Sequence, residues 1–469
     1  MVSIYVFKPE FSEEHIEGHR LEPEVMAAVL ARFSRTGDGM KKILADLADL
    51  DFSDSKKMVD RILRFIDYGH QSIGGLTGGV PIGVDGVSML TPYMTFFNQP
   101  KQDGQETSTR YCEYKPEGLA HPSAFNVPER FHKEWYPIML EGFNISSLVC
   151  AELDRQVTEN PTLARIPKDA TPKEADRMKR NYGFDRARYT LPVAALTNFG
   201  VIMTGREWTD TLKLLSASTI PEMIDLASEI RPPLDKMLPH LMKHSFPTDM
   251  ATEYMKNFFG RGAEYIRHNG VNTDELPDAV VTNVQLPEEN GLIERMNNFS
   301  LEDRFDNAFK GKKNRYDIAR GYPEKVHVST YWNNMSIAEA RDINRQRPCQ
   351  KDTLLAPVGF YMAPEMKDAI DKLGLRGRYI SLQEKRAELL ENLANSTSPE
   401  SYASALFLGD QTQFELHTNA SHMTYVIELR TGRGVHFRYD DHVRQAFESF
   451  EKQLPEWTKH IQLGTGEPE

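Results

Sequence analysis

The feature of this sequence that most constrains its fold is an order of segments that repeats in its two halves. Each half has a strand-like segment, then a polar cluster, then a tail rich in predicted helices. The first cluster comprises Asn98-Gln99-Pro100 and Gln105–Tyr111, and the second is Arg345–Cys349. A repeated order indicates two related units. The 469 residues also exceed one domain of about 100 to 200 residues. We therefore predict domains at residues 1–247 and 248–469.

Local patterns predict an α+β fold with more helix than strand. Strands are predicted at residues 2–7 and 326–331, and the glycine-rich run Gly69–Gly86 suits strand and turn. Pro232-Pro233 should break or kink a helix at residues 205–230. Further helices are predicted at residues 24–35, 55–68, 128–155, 234–244, 249–267, 336–345, 381–395, 421–430 and 438–453.

Charge and composition exclude several classes of protein. The net charge is −12, with 40% apolar and 26% charged residues, which is typical of a soluble globular protein. Nucleic-acid binding usually requires clustered Lys and Arg, and the one basic run, Lys310–Asn314, is expected to be a solvated loop. The sequence has neither an apolar window of membrane-spanning length nor a signal-peptide pattern. We therefore expect a cytoplasmic protein without a membrane or nucleic-acid partner.

Cysteine and histidine spacing predicts neither a disulfide framework nor a metal site. Cys112, Cys150 and Cys349 form no Cys-x-x-Cys element. Four histidines lie close together in the sequence: His417, His422, His436 and His442. Their spacings fit neither a His-x-x-x-His helix pair nor a zinc finger, so we expect core or surface histidines without a metal.

The first polar cluster has the composition of a phosphate-binding segment. Glu106, Ser108 and Arg110 lie two residues apart, so an extended segment would place all three on one face. That face would offer a hydroxyl and a guanidinium group, and Arg is suited to bidentate contact with phosphate. The alternative is a surface loop with an ordinary Glu–Arg pair.

The second polar cluster places two arginines at the end of a predicted helix. Arg345 and Arg347 precede Pro348, which should end the helix that Ser336 caps. Basic residues at such a position interact favourably with the helix dipole, and that interaction alone is one explanation for them.

Together the two clusters resemble the signature of the flavin-dependent thymidylate synthases, the ThyX family. That signature is Arg-His-Arg, seven further residues and Ser, within a longer pattern that ends Glu-x-Ser-x-Arg-Tyr. The first half keeps Glu106–Tyr111 but has Asn98-Gln99-Pro100 in place of Arg-His-Arg. The second half keeps Arg345-Gln346-Arg347, preceded by Arg341, but has Leu355 in place of the Ser.

The flanking segments resemble the same family and divide in the same way. In the first half, Ser72 ends a Gly-His-x-Ser turn and Arg188 stands in an Ala-Arg-x-x-Leu-Pro segment. In the second half, Asn419, Arg430 and His436 resemble the family's Asn-Ala, Leu-Arg and His positions. The first half thus resembles the nucleotide side of a family site, and the second half resembles the flavin side.

The resemblance implies two tandem ThyX-like domains, helix-rich with small antiparallel sheets, that form a pseudo-dimer. It implies reductive C5 methylation of dUMP, or of a related pyrimidine nucleotide, with FAD, NADPH and methylenetetrahydrofolate. Family sites form where subunits of a homotetramer meet, so a homodimer of this chain would imitate that tetramer. The implied substrate-binding residues are Glu106, Ser108, Arg110, Arg188 and Arg341. The implied cofactor-binding residues are Ser72, Arg345, Gln346, Arg347, Asn419, Arg430 and His436, and the implied catalytic residues are Arg188 and Arg430.

Two alternatives stay open because neither half keeps the full signature. The chain could be an inactive paralogue that binds a nucleotide or serves as a scaffold. Alternatively, the thiolate of Cys349 could add to C6 of a pyrimidine and activate C5. Arg347 beside it would then be expected to lower the thiol pKa.

Overall fold

The computed structural model describes residues 3–6, 29–33, 36–37, 39–40, 42–43, 45, 79–237, 242–288, 299–432 and 434–464. Residues 29–33 are helical, within the helix predicted at 24–35. The helix predicted at 55–68 and the turn that contains Ser72 lie outside the described residues.

Two antiparallel sheets of four strands repeat one topology. The strands of the first sheet are β1 Ser3–Val6, β2 Val80–Ser88, β3 Asp103–Glu106 and β4 Leu196–Met203. Those of the second sheet are β5 Val280–Gln285, β6 His327–Ser336, β7 Gln350–Phe360 and β8 Asp410–Asn419. The strand orders are β1-β2-β4-β3 and β5-β6-β8-β7. In both sheets the second strand carries an irregularity where it pairs with the fourth, between Asp85 and Val87 and between Trp332 and Met335.

Helices surround and connect the sheets. Those of the first half are α1 Leu90–Asn98, α2 His132–Glu159, α3 Pro172–Ala187, α4 Gly205–Ser216 and α5 Pro221–Met237. Those that follow are α6 Asp249–Asn269, α7 Leu301–Phe309, α8 Tyr322–Lys325, α9 Ile337–Asn344, α10 Pro364–Lys372, α11 Arg376–Ala394, α12 Ala420–Arg430, α13 Phe437–Gln453 and α14 Pro455–Thr458. This helix-rich arrangement confirms the α+β prediction. Among the described helices, none combines the length and the apolar composition that a bilayer crossing requires.

The two halves share one hydrophobic core. Buried side chains from both halves form a single continuous cluster. Backbone hydrogen bonds also cross between them: the amide of Val193 donates to the carbonyl of Leu406 at 2.8 Å, and that of Leu408 donates to Leu191 at 2.9 Å. The seam between the halves is therefore part of the core.

Helices α1 and α9, which follow equivalent strands, pack against each other at this seam. The side-chain amide of Asn344 donates to the carbonyl of Tyr93 at 2.8 Å. The buried ammonium of Lys351 donates to the carbonyl of Phe96 at 3.2 Å and to that of Asn344, so one side chain holds the ends of both helices. Burial lowers the pKa of Lys351 to about 7. The seam thereby fixes the helix that carries Arg341.

The segment predicted as one helix at residues 205–230 contains two, α4 and α5, separated at residues 217–220. A break or kink was predicted at Pro232-Pro233; the helix is not broken there, because α5 continues through both prolines to its end. Ile230 and Leu234 are fully buried on its inner face. Their packing outweighs the hydrogen bonds that the prolines remove, which is a tertiary effect that local rules do not include.

Within the basic run Lys310–Asn314, Lys310, Lys313 and Asn314 are exposed as predicted, but Lys312 is not. Lys312 is not solvated but buried, and its ammonium donates to the buried carboxylate of Glu428. A buried lysine needs such a partner, because an isolated charge in the interior is costly.

Candidate active site between the two halves

A small pocket of about 20 Å³ lies where the two halves meet. The first half contributes the segment Glu106–Arg110 and Arg188. The second half contributes Arg341, Asp342 and Arg345 from α9 and its C-terminal end. Four arginines therefore line one small space, which we call the arginine pocket. All five predicted substrate-binding residues line it.

The segment Glu106–Arg110 enters the pocket as a turn. Strand β3 ends at Glu106, and the amide of Arg110 then donates to the hydroxyl of Ser108 at 3.1 Å. The prediction of an extended segment with alternate residues on one face is therefore wrong. Because the chain turns, Thr107 and Thr109 line the pocket as well.

Each arginine of the pocket pairs with a carboxylate. The pairs are Arg110 with Asp185 at 2.8 and 3.1 Å, Arg188 with Glu339 at 3.3 Å, Arg345 with Asp342 at 2.6 Å, and Arg341 with Glu106. Four positive and four negative charges thus balance, and the charge-assisted bonds fix the guanidinium orientations. The Nε atoms of Arg188 and Arg341 are buried and lack a hydrogen-bond partner among the described residues. These two N–H groups are therefore not used by the described residues.

The carboxylates that orient two of these arginines were not predicted from the sequence. Glu339 is fully buried and accepts hydrogen bonds from Arg188, from the hydroxyl of Tyr189 at 2.9 Å and from Ser336. Ser336 precedes α9 but does not cap it through its side chain, because its hydroxyl bonds Glu339 instead. Asp185, also fully buried, orients Arg110. The one available signal was an acidic residue on the core-facing side of a predicted helix.

The two carboxyl groups that line the arginine pocket differ in acidity. Burial raises the pKa of Glu106, although Arg341 and Arg345 oppose the shift. For Asp342, the neighbouring Arg345 and Arg188 outweigh burial and lower the pKa to about 2. Burial also raises the pKa of Glu339, beneath the pocket. Glu106 is thus the pocket-lining carboxyl group closer to protonation near neutral pH.

Arg430 and His436 lie behind the pocket rather than in it. With the side-chain amide of Gln346 oriented so that its oxygen faces Arg430, that oxygen accepts hydrogen bonds from Nη2 and Nε at 2.6 and 2.9 Å. His436 is fully buried, with Nε2 lying 3.3 Å from the carbonyl oxygen of Asp185. Burial holds its pKa well below the usual range, so the ring is neutral. Of the two predicted catalytic arginines, only Arg188 lines the arginine pocket.

A larger pocket, of about 350 Å³, contains three of the predicted cofactor-binding residues. Arg345, Gln346 and Arg347 line it together with Lys101 and Tyr425. We call it the Arg347 pocket. Nη1 of Arg347 lies 3.0 Å from Asp103, while its Nε is buried without a hydrogen-bond partner among the described residues. Arg345 lines both pockets, so the two lie on either side of this residue.

Asn419 is not brought to either pocket. Its side chain caps α12 by accepting the amide of His422 at 2.8 Å, which is a sufficient structural reason for an Asn at this position. Ser72 lies outside the described residues.

Cys349 lacks the environment of a nucleophile. Its side chain is buried, and burial raises the thiol pKa to about 11. Arg347 lowers the pKa of this thiol, as expected, but burial raises it by more. The prediction of a lowered pKa is therefore wrong. Within the part of the chain that the structure describes, no three His, Cys, Asp or Glu side chains are grouped so that they could hold a metal ion.

Comparison with known proteins finds one family model that matches the first half of the chain. Residues 18–240 match the model described as thymidylate synthase complementing protein. The match includes Glu106–Arg110 and Arg188 but ends before α9. No curated protein matches the chain. Among solved structures, the chain is similar to the UMP/dUMP methylase PolB from Streptomyces cacaoi bound with 5-Br dUMP. The identity is 10%, the coverage 40% of this chain and 96% of that one, and the TM-score 0.31.

Proposed function

We propose that this chain is a flavin-dependent thymidylate synthase-like enzyme that methylates C5 of dUMP or of a related pyrimidine nucleotide. The family model that matches residues 18–240 supports the reaction class. The observation that carries the proposal is that the arginines of the two half-signatures, Arg110 and Arg188 from one half and Arg341 and Arg345 from the other, line the same pocket. The tandem halves, residues 1–247 and 248–469, would then build one site together.

In this proposal the arginine pocket binds the nucleotide. Arg110 and Ser108 bind the phosphate, because a guanidinium and a hydroxyl group are strong donors to phosphate oxygens. Arg188 binds the uracil ring and stabilises negative charge that develops on it when C5 reacts. The ion pair with Glu339 holds this guanidinium in place before substrate arrives, so little reorganisation is needed during the reaction.

The Arg347 pocket has the charge that an anionic cofactor requires. Lys101, Arg345 and Arg347 line it, and the Nε of Arg347 has no partner among the described residues. Arg345, Gln346 and Arg347 would hold FAD, which when bound would supply reducing equivalents for the methyl transfer. Arg430 would act through Gln346, while Ser72, Asn419 and His436 stay predictions of the resemblance. Methylenetetrahydrofolate and NADPH would be co-substrates.

An inactive paralogue is the second candidate. Gln346, which stands where the family has His, accepts hydrogen bonds from Arg430 and so removes this arginine from the pocket. This contact favours a protein that binds a nucleotide without turnover.

We further propose that the protein is a cytoplasmic homodimer, as the resemblance to a tetrameric family implies.

The first experiment is a visible absorbance spectrum of the purified chain after incubation with FAD and desalting. The same spectrum is recorded for the Arg345→Ala, Arg347→Ala double variant and for the control Arg376→Ala, whose side chain is 74% exposed on α11. We expect flavin absorbance in the unmodified chain and the control but not in the double variant. Turnover of dUMP then separates the enzyme from the inactive paralogue. A chain that never retains flavin would contradict the flavin mechanism.

A further inference from the structure

The arginine pocket presents an electrostatic difficulty for a phosphate group. Its four guanidinium groups are already neutralised by four carboxylates. A phosphate dianion would add two negative charges to a small, largely buried space in which like charges strongly disfavour each other. For the dianion to bind, one of these carboxylates must either move out of the pocket or become neutral by taking up a proton.

Glu106 is the group placed to respond. Its carboxylate lines the pocket, is buried, and bonds Arg341 of the opposite half. Asp342, the other carboxylate that lines the pocket, is surrounded by Arg345 and Arg188, which favour its charged form. Asp185 and Glu339 bond the pocket arginines from outside the lining.

The ionisable neighbours of Glu106 come from two elements. Helix α9 and its end present Arg341, Arg345 and Asp342, and the loop after β3 presents Tyr114. Burial raises the pKa of Tyr114 above 10, so its hydroxyl stays protonated at neutral pH. Within this group of ionisable side chains, the carboxyl group of Glu106 itself is therefore the one that can gain a proton when an anion enters the pocket.

We propose that Glu106 makes anion binding in the arginine pocket take up one proton. As the dianion enters, a proton from solvent neutralises the carboxylate, and the resulting O–H donates to a phosphate oxygen. The guanidinium of Arg341, no longer held by a charged partner, turns its donors to the anion. This inference rests on the proposed function only for the identity of the ligand, and it assigns Glu106 as the residue that sets the pH dependence of binding.

The test is calorimetric titration of the full chain with dUMP, in two buffers that differ in ionisation enthalpy, between pH 7.5 and 9. The phosphate of dUMP is a dianion in this range, because its second pKa is about 6. Inorganic sulfate is the second probe, since it carries no proton to share. We expect uptake of about one proton with either ligand, and an affinity that falls by up to about tenfold per pH unit.

The Glu106→Gln variant should bind both anions without proton uptake and, at pH 9, more tightly than the unmodified chain. Glu113→Gln, in the same loop but with a side chain that is 57% exposed, should leave the uptake unchanged. Since the proton count on the unmodified chain needs no variant, a poorly folded Glu106→Gln protein does not prevent the test. Binding of dUMP without proton uptake overturns the inference and leaves the proposed function standing. If the chain binds neither dUMP nor sulfate, both the inference about Glu106 and the proposed function are overturned.

Discussion

Arg188 and Glu339 form a buried ion pair between the two halves, with Nη2 and Oε1 3.3 Å apart and both side chains almost inaccessible to solvent. The residues lie 151 positions apart in the sequence. Glu339 also accepts the hydroxyl of Tyr189, so one carboxylate positions two consecutive residues of the first half. The pair therefore links the stability of the seam to the geometry of the arginine pocket.

Removal of Glu339 should destabilise the protein strongly. Glu339→Ala leaves Arg188 buried without a counter-charge, which costs about 3–5 kcal/mol. We expect a corresponding decrease in the free energy of unfolding, measured by urea denaturation. The control Glu384→Ala changes an exposed residue on α11 and should shift it by less than about 0.5 kcal/mol. Equal effects of both variants would contradict the structural role of the pair.

Arg345→Ala should reduce ligand binding more than stability. Arg345 is partly exposed and pairs with Asp342 three residues earlier, an arrangement worth at most about 1 kcal/mol. A charge-assisted hydrogen bond to a ligand contributes about 1.5–3 kcal/mol, so nucleotide affinity should fall by at least about tenfold. Calorimetry and thermal unfolding of the same samples separate the two effects. A large loss of stability with unchanged nucleotide affinity would refute a role for Arg345 in ligand binding.

Gly142→Ala should disturb the seam. A Cβ atom at this position of α2 would lie 2.6 Å from the carbonyl oxygen of Thr190 and 2.8 Å from the ring of Phe407. Because both neighbours belong to the packed seam, we expect a loss of about 1–3 kcal/mol in unfolding free energy. Gly260→Ala is the matched control, since its Cβ would meet no atom within 4 Å and Ala favours a helix. The control should be neutral or stabilising.

Three buried histidines should each make the protein less stable in mild acid. Burial lowers the pKa of His422 to about 4 and that of His442 to about 3, and holds that of His436 well below 6.5. The unfolded chain binds protons at these rings below about pH 6.5, whereas the folded chain does not, so stability falls as pH decreases from 6.5 towards 4. Each ring contributes about 1.4 kcal/mol per pH unit in this window.

The measurement is the unfolding free energy at pH 7.5, 6.5 and 5.5, with the His442→Gln variant beside the unmodified chain. Relative to the unmodified chain, the variant should become more stable as the pH falls from 6.5 to 5.5. The His327→Gln control, at an exposed position, should follow the unmodified chain. Parallel curves for all three proteins would show that these rings do not govern the acid response.

Cys349 should resist alkylation in the folded protein. Its thiol is buried and has a pKa of about 11, so little thiolate is present or accessible at pH 8. Mass spectrometry after treatment with iodoacetamide should find Cys349 modified only in denaturant, with half-buried Cys112 as the internal comparison. Cys349→Ser should retain any turnover. Rapid modification of Cys349 in the folded chain would reopen the nucleophile hypothesis.

The motif residues of the arginine pocket were predictable because each belongs to a short local pattern. Glu106, Ser108 and Arg110 share one segment, and Arg341 and Arg345 share another. A comparison of short segments is therefore enough to find these residues. The pocket itself was less predictable. Asp185 and Glu339 act through contacts across 75 and 151 positions, and no local spacing encodes such a contact.

The fold, too, was predictable only where local sequence patterns determine it. Helices α6 and α13 follow clear local periodicity and lie close to their predicted ranges. Strand β6 begins close to its predicted range but extends beyond it, and helix α12 lies close to its range although it is buried on nearly all sides. In contrast, Pro232-Pro233 stays helical and Lys312 is buried, since tertiary packing and a distant carboxylate override the local preference. The tandem character was predicted from a faint order of segments, and the two sheets repeat one strand order.

Helices α1 and α9 occupy equivalent places after the second strand of each sheet, yet they differ in chemistry. Helix α9 carries Arg341 and Asp342, whereas Leu90–Asn98 contains no charged residue and is buried along nearly all its length. A pair of identical subunits must present the same helix twice, and any substitution changes both copies. If the two halves arose by duplication, each helix within one chain could change alone, and two sheets of equivalent strand order would then carry one asymmetric site. We therefore expect a stoichiometry of one nucleotide per chain rather than two.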